Sequence, residues 1–419
     1  MISRQEDRVE KSKGLKKLQI LPKSKGLKAL VFAELIIAFV FMVLLTLVDV
    51  FPKDILAILL AVLLYFLVMS IALLRSRSRK KPARVVGIVF SSVVLVLYGA
   101  GSYYLASAFS MFNRISVNEI AGSGVDVTEQ AFNVYITGID QWAYEKGQDL
   151  ERSDVNMIMT VNPNTKTILL TSMPRDSYVA LHKNGAMDKL THTGIYGVDE
   201  TLNTVSDWFD GLKFDYYIKV NFSTLVDVID AVGGIDVEND VEFNSWIRED
   251  FNYPVGNLHL DGIHALYFAR ERKSFENEDE KRIANQQKVL KAMIDKCCTS
   301  KTILLNYQDL LNAAGNNMET NLTPKQMNAL VKMQLSDLGA WTIKQQAVSG
   351  EDAMRTVASM SREKEYFVSI PNQETVDACI AGINEVMNPP EEEVKRVAAE
   401  RKAAKQENLA QSFFKKIFS

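Results

Sequence analysis

Three apolar runs near the N-terminus, Ala29 to Val48, Ile55 to Leu74 and Val85 to about Phe109, constrain this chain more than any other feature. Each has about the 20 residues that an α-helix needs to cross the hydrocarbon core. A buried soluble helix of that length normally carries a polar face; these runs carry Glu34 and little else. A cleavable leader fits poorly, because the basic segment ahead is long and three runs follow it. The expectation is three membrane-spanning helices.

The flanking charges orient them. Residues 1–28 hold nine Lys/Arg against three acids, and Arg75 to Arg84, "RSRSRKKPAR", hold six basic residues and no acid. The connection between the first two runs, "FPKD", holds one lysine. Positive charge is retained in the cytoplasm, so the N-terminus and the 75–84 loop are expected inside, with everything beyond about Phe112 outside. The charge split agrees. Up to Arg84 there are 16 basic and 6 acidic residues, a balance of +10; the remaining 32 and 45 give −13.

That placement excludes function classes. An acidic outer domain repels a nucleic-acid polyanion. There is no GxxxxGK[ST] loop for nucleotide phosphates, and ATP-dependent chemistry is not expected outside a cell. Three cysteines, Cys297, Cys298 and Cys379, are too few for a disulfide framework, and a bridge from Cys379 to either neighbour stays open. The expected organisation is a cytoplasmic basic tail (1–28), three membrane helices (29–109), a polar tether (110–131), an outer domain (132–388) and a charged tail (389–419). Pro389-Pro390 marks the last boundary. Phe413, Phe414 and Phe418 beside Lys415 and Lys416 suit either a solvated end or a membrane surface.

Within the outer domain, "FNVYITGID" has strand composition and ends at Asp140. "VNMIMTV" alternates, "NPNT" (Asn162 to Thr165) is a turn signal, and "KTILLTSM" is a second strand. Two strands on a short turn form an antiparallel hairpin, so its open end brings Arg152 and Asp154 beside Arg175 and Asp176 of "SMPRD". A strand ending at Asp140 and running parallel to "KTILLTSM" adds a further carboxylate. "FSTLVDVIDAVGGIDVEND" reads as a helix, a Gly233-Gly234 stop and a strand. If "YFARER" is extended, Arg270 and Arg272 share a face. In "EDEKRIANQQKVLKAMIDK", Ile283, Leu290, Met293 and Ile294 form an apolar stripe, read as core. Asp279, Arg282 and Gln286 lie on a neighbouring face.

Five arginines, Arg152, Arg175, Arg270, Arg272 and Arg282, therefore stand at or beside the ends of elements in a net-acidic domain. Asp140, Asp154, Asp176 and Asp279 accompany them. A guanidinium grips phosphate in bidentate fashion, and aspartates facing phosphate oxygens suit a hard divalent cation such as Mg2+. A buried Arg–Asp network serving structure alone is the alternative. No Ser/His/Asp or GxSxG arrangement is apparent; His192 and His264 are read as structural.

The ordered set "GID…RSD…NP…SMPRD…KLTH…DYYIKVNF…DAVGGIDV…LDGIHALYFARER…D..R..NQ" resembles the LytR-CpsA-Psr (LCP) family of bacterial cell-wall enzymes, over roughly Phe132 to Lys296. The three apolar runs look like the CpsA-type branch, associated with capsular polysaccharide. Two departures from the family pattern are Tyr196-Gly197 for its glycine pair and Asn285-Gln286-Gln287 for its "RQQ". The resemblance implies an α/β domain with a mixed central β-sheet flanked by helices. It also implies an apolar pocket for a polyprenyl tail, and transfer of a glycopolymer from undecaprenyl pyrophosphate to peptidoglycan as a phosphodiester at the MurNAc C6 hydroxyl. By family position Asp140 and Asp154 would hold Mg2+ (or Mn2+). Arg152, Arg175, Arg270, Arg272 and Arg282 would contact the pyrophosphate, with Gln286 and Lys189 assisting and Asp279 orienting Arg282. Asp154 and Asp176 are the candidate proton acceptors. The polymer, capsule or wall teichoic acid, stays open. So do three rivals: a polyprenyl pyrophosphate phosphatase with water as acceptor, an envelope regulator, and a non-catalytic wall binder.

Overall fold

The structure is a computed structural model and describes residues 25–49, 51, 53–75, 81–117, 122–139, 152–276, 278–297, 306–315, 318–336, 341–361 and 363–403. The chain divides into two units, Met1–Ser107 and Ala108–Ser419.

The first unit is helical. Helices α1 (Lys25–Val48), α2 (Lys53–Arg75) and α3 (Lys81–Ile115) are each long and apolar enough to cross a membrane. Their one buried acid organises them. Glu34 of α1 is fully buried, and one of its carboxylate oxygens accepts from Ser70 of α2 at 2.7 Å and Ser91 of α3 at 2.6 Å. Polar side chains bonded across helices join spans that have no hydrophobic drive to associate in lipid.

The second unit opens with β1 (Phe132–Ile139), the hairpin β2 (Ser153–Asn162) and β3 (Thr167–Met173), short strands β4 (Tyr178–Ala180) and β5 (Met187–Lys189), and helices α4 (Leu190–Thr193) and α5 (Val198–Trp208). Next come β6 (Tyr216–Asn221), α6 (Phe222–Ala231), β7 (Ile235–Asn239), β8 (Phe243–Asn244), β9 (Asn252–Tyr253), β10 (Gly256–Leu260), α7 (Gly262–Arg270) and α8 (Glu278–Cys297). Then follow α9 (Tyr307–Gly315), β11 (Met318–Thr320), α10 (Pro324–Ser336), β12 (Thr342–Ala347), β13 (Gly350–Arg355), β14 (Tyr366–Pro371) and α11 (Gln373–Met387). Residues 391–403 are helical; the phenylalanines of the charged tail lie outside the described residues.

Six strands form one mixed sheet in the order β11-β6-β1-β2-β3-β12. The expected hairpin is present, with Asn156 opposite Met173 and Asn162 opposite Thr167. β2 lies between β1 and β3, and antiparallel pairing on both sides leaves β1 and β3 running the same way. Period-two alternation sends Val134, Met157, Leu170 and Tyr216 to one face and Tyr135, Ile158, Leu169 and Tyr217 to the other. Both faces are covered. The last turns of α3 and α10 pack on the first, and α5 and α11 on the second. The segment expected as a tether is partly built into this unit: Ser110 to Ile115 continue α3, and Val127 is buried in the core.

Thr323 caps α10. Gln326 N donates to Thr323 Oγ1 at 3.3 Å while Gln326 Oε1 accepts from Thr323 N at 2.9 Å, a reciprocal capping box. Gly233 and Gly234, at φ +78° and +85°, end α6 and turn the chain into β7. "YFARER" is not extended. Asp261 caps α7 by accepting from His264 N at 2.9 Å, and the helix runs to Arg270. At its first residue α7 meets α6 closely: a Cβ on Gly262 would stand 2.3 Å from the carbonyl oxygen of Val226. Gly262→Ala is therefore expected to push the helices apart and cost about 1–3 kcal/mol, as overpacking does. Denaturant unfolding of the full chain in detergent checks it; an unchanged midpoint would show that α6 yields freely.

Candidate active site

The open end of the hairpin carries an ion cluster. Arg175, two residues beyond β3, donates through Nη1 to Asp154 Oδ1 at 2.8 Å and through Nε to Asp176 Oδ2 at 3.3 Å. Lys189, at the end of β5, donates through Nζ to Asp176 Oδ1 at 2.8 Å. Asp176 is buried. Burial alone would push its carboxyl up, but Arg175, Lys189 and Arg282 together outweigh burial and hold it below the usual carboxylate range. Asp154 retains 18 % side-chain exposure and Asp176 only 7 %.

Lys189 is positioned from behind. The neighbouring Asp188 is fully buried and accepts from Lys189 N at 2.7 Å and Ser359 N at 2.8 Å, with His192 Nδ1 2.7 Å away. His192 thus sits in a structural network, and Ser359 and Asp188 both meet the same ring nitrogen. That arrangement does not make a relay triad, in which the two partners bond opposite nitrogens.

Below the cluster an apolar cavity of about 310 Å³ lies between the sheet and helices α6, α7 and α8. Same-face residues of three strands form its floor, among them Ile136, Met157 and Ile218. Leu290, Met293 and Ile294, expected simply as core, line its wall. Arg270 and Gln286 line it too, and the Arg270 guanidinium lies 4.8 Å from the ring centroid of Phe222. Gln286 is one turn beyond the buried Arg282 on α8, so this helix borders both the cavity and the ion cluster.

Arg272 faces a different space, a groove it lines together with Pro174. The divergence of Arg270 and Arg272 follows from Glu271, a residue the sequence reading passed over. Its buried carboxylate accepts from Trp246 N at 2.8 Å and Arg272 N at 3.0 Å, fixing the chain as α7 ends. An acid between two arginines in "RER" is the signal that was available. Arg152 is exposed just ahead of β2. Asp140 lies outside the described residues, and so does the side chain of Asp279. Cys379 is buried without a disulfide, and burial pushes its thiol up to about 11; Cys298 lies outside the described residues.

Hard oxygen donors are the right chemistry for Mg2+, and Asp154 is one, with part of its carboxylate exposed. Among the described residues no three His, Cys, Asp or Glu side chains form a protein cage for a metal. A cation that takes most of its ligands from phosphate and water needs no such cage. Among the described residues, Asp154 fits that kind of site.

Comparison with known proteins places this geometry in a family. The model described as the LytR_cpsA_psr family matches residues 106–376. The chain is 34% identical over 232 residues to the polyisoprenyl-teichoic acid–peptidoglycan teichoic acid transferase TagU of Bacillus anthracis, covering 55% of this chain and 73% of that protein. It is 37% identical over 254 residues to the protein of the same name from Bacillus cereus, covering 57% and 79%. Of solved structures, TagT bound to LIIa-WTA superposes with a TM-score of 0.52 at 25% identity, covering 65% of this chain and 98% of that one. B. subtilis TagV gives 0.51 at 27%, covering 62% and 98%. With that match over most of its length, and the mixed sheet and flanking helices to go with it, the chain belongs to the LytR-CpsA-Psr family.

Proposed function

We propose that this protein transfers a glycopolymer, of the capsular polysaccharide or wall teichoic acid type, from an undecaprenyl pyrophosphate carrier to peptidoglycan. The product is a phosphodiester at the MurNAc C6 hydroxyl. One observation carries the reading: an apolar cavity walled by Arg270 and Gln286 adjoins a cluster of Arg175, Lys189 and Arg282. A polyprenyl pyrophosphate has the same two halves. The relatives' names, which describe a polyisoprenyl-linked donor and a peptidoglycan acceptor, support it.

In this mechanism the acceptor hydroxyl attacks the phosphorus nearer the glycan. A new P–O bond forms, the bond to the bridging oxygen breaks, and undecaprenyl phosphate leaves with the electron pair. Phosphoryl transfer needs positioning and charge stabilisation more than covalent help. Arg175, Arg270, Arg272 and Arg282 supply these to the phosphate oxygens, with Arg152, Gln286 and Lys189 assisting. Asp154, the more exposed carboxylate of the cluster, accepts the hydroxyl proton. Asp176, gripped on both oxygens, positions Arg175 and Lys189. Mg2+ or Mn2+ held by Asp140 and Asp154 would neutralise phosphate charge. The N-terminus is cytoplasmic and the domain external, where the pyrophosphate bond supplies the driving force without ATP.

The test is an incubation of the full-length protein with lipid-linked donor and un-cross-linked peptidoglycan oligomer. Polymer joined to peptidoglycan is the expected product; free phosphate products alone would overturn transfer in favour of hydrolysis. The cavity has its own check. Met293→Trp narrows it, and displacing even two buried CH₂ groups at about 0.8 kcal/mol each should raise KM roughly tenfold for a polyprenyl donor. A short-chain prenyl donor should be unaffected, and equal effects on both donors would place the tail elsewhere.

A further inference from the structure

The groove that Arg272 lines has a volume of about 830 Å³ and is separate from the apolar cavity. It is bounded by the N-terminal part of α8 and by β12, β13 and β14, elements the motif pattern never reached. These strands are fastened to the ion cluster. Ser369 N of β14 donates to the carbonyl oxygen of Asp176 at 2.9 Å, and Val348 N donates to Ser172 O at 3.0 Å. The groove also contains Pro174, which precedes Arg175.

Its lining differs in kind from the cavity's. Glu276 and Asp352 present exposed carboxylates, Ser349 a hydroxyl, and Phe367 a ring that is 36 % exposed. Lys189 Nζ, already bonded to Asp176, lies 5.9 Å from the centre of that ring. Carboxylates that accept from hydroxyl groups, beside an aromatic face for the apolar side of a pyranose, make a lining suited to sugar. Arg270 on the cavity and Arg272 on the groove then flank the pyrophosphate from two sides. A tail in the cavity leaves the groove for a sugar approaching the phosphorus.

Resting on the transfer reading, we propose that this groove is the acceptor subsite and seats the glycan strand of peptidoglycan. Charge favours the acceptor over a donor polymer of the teichoic acid type. Glu276, Glu280 and Asp352 outnumber Arg272 along the groove, so it repels a polyphosphate chain. Its carboxylates can accept from the hydroxyl and acetamido N–H groups of a glycan strand.

The experiment uses the full-length protein in detergent, an undecaprenyl-pyrophosphate-linked disaccharide as donor and un-cross-linked peptidoglycan oligomer as acceptor. Phe367→Ala and Asp352→Asn are each expected to raise the acceptor KM by roughly tenfold, the scale of one lost aromatic or charge-assisted contact. Donor KM should stay within about twofold for Asp352→Asn, which does not line the cavity, while Phe367→Ala, beside Lys189, is read on acceptor KM alone. An unchanged acceptor KM overturns the proposal. So does a raised donor KM in Asp352→Asn, which would assign the groove to the donor's glycan. Calorimetric titration of the oligomer into wild type and both variants reads the groove directly. Weaker binding to the variants supports it and equal binding overturns it, even if wild type forms no product and the transfer reading itself fails. Asp352 is exposed, so its variant keeps the result interpretable if Phe367→Ala folds poorly.

Discussion

Replacing Arg175 by alanine is expected to lower transfer by roughly 10²–10³-fold, the usual scale for removing a preorganised donor to developing phosphate charge. The residue's position sets that expectation. Its guanidinium bonds Asp154 and Asp176 at once, which aims the remaining N–H groups and holds two carboxylates in place. Alanine removes a charge from the phosphate oxygens and also releases Asp154 from its fixed orientation. Both losses fall on the chemical step, so kcat should drop more than donor KM rises. Arg175→Lys is the sharper comparison. It keeps the charge but cannot span two carboxylates, and most of the loss should persist. Full activity in the lysine variant would reduce the role of Arg175 to simple charge. A binder that performs no chemistry would show no turnover to lose, and its retention on wall polymer would be largely unaffected.

The hairpin end was legible because two independent signals agreed. Alternation in "VNMIMTV" fixes the strand, "NPNT" fixes the turn, and geometry then puts Asp154 beside Arg175, where a 2.8 Å bond is found. Arg270 and Arg272 were legible as residues but not as a pair. Their divergence depends on a cap at Asp261 and on Glu271 binding N–H groups as distant as Trp246, and no local pattern encodes that closure. The stripe on α8 shows another limit. Helical periodicity marks Leu290, Met293 and Ile294 as facing inward, yet a cavity wall and a filled core produce the same stripe. Lys189 was found by motif alone; its bond to Asp176 spans 13 residues and a separate small sheet. Least legible was the groove, because β12 to β14 follow the motif region and meet the cluster through backbone hydrogen bonds and the Phe367 ring beside Lys189, contacts that no local pattern encodes.

Removing the carboxylate of Asp176 is expected to cost the fold more than any other change at the site, roughly 3–5 kcal/mol for Asp176→Ala. Both oxygens are engaged, by Arg175 and Lys189, and the side chain is 7 % exposed. Deleting it leaves Lys189, only 15 % exposed, without its anion. The same carboxylate predicts a pH dependence. Its folded pKa is depressed, so its contribution is fully present above the unfolded value of about 3.9 and is lost as pH falls through the lower folded value. The isosteric variant Asp176→Asn lacks that titration. Asp188 is also depressed and titrates in the same acid window, but it is common to both proteins and cancels in the difference. Denaturant unfolding from neutral pH down through this window should therefore show wild type far more stable than Asp176→Asn at first. The gap should close as the wild-type carboxyl takes up its proton. A gap that stays constant to the acid end would mean that Asp176 supports the fold through shape rather than charge, and its role in holding Arg175 and Lys189 would have to be abandoned.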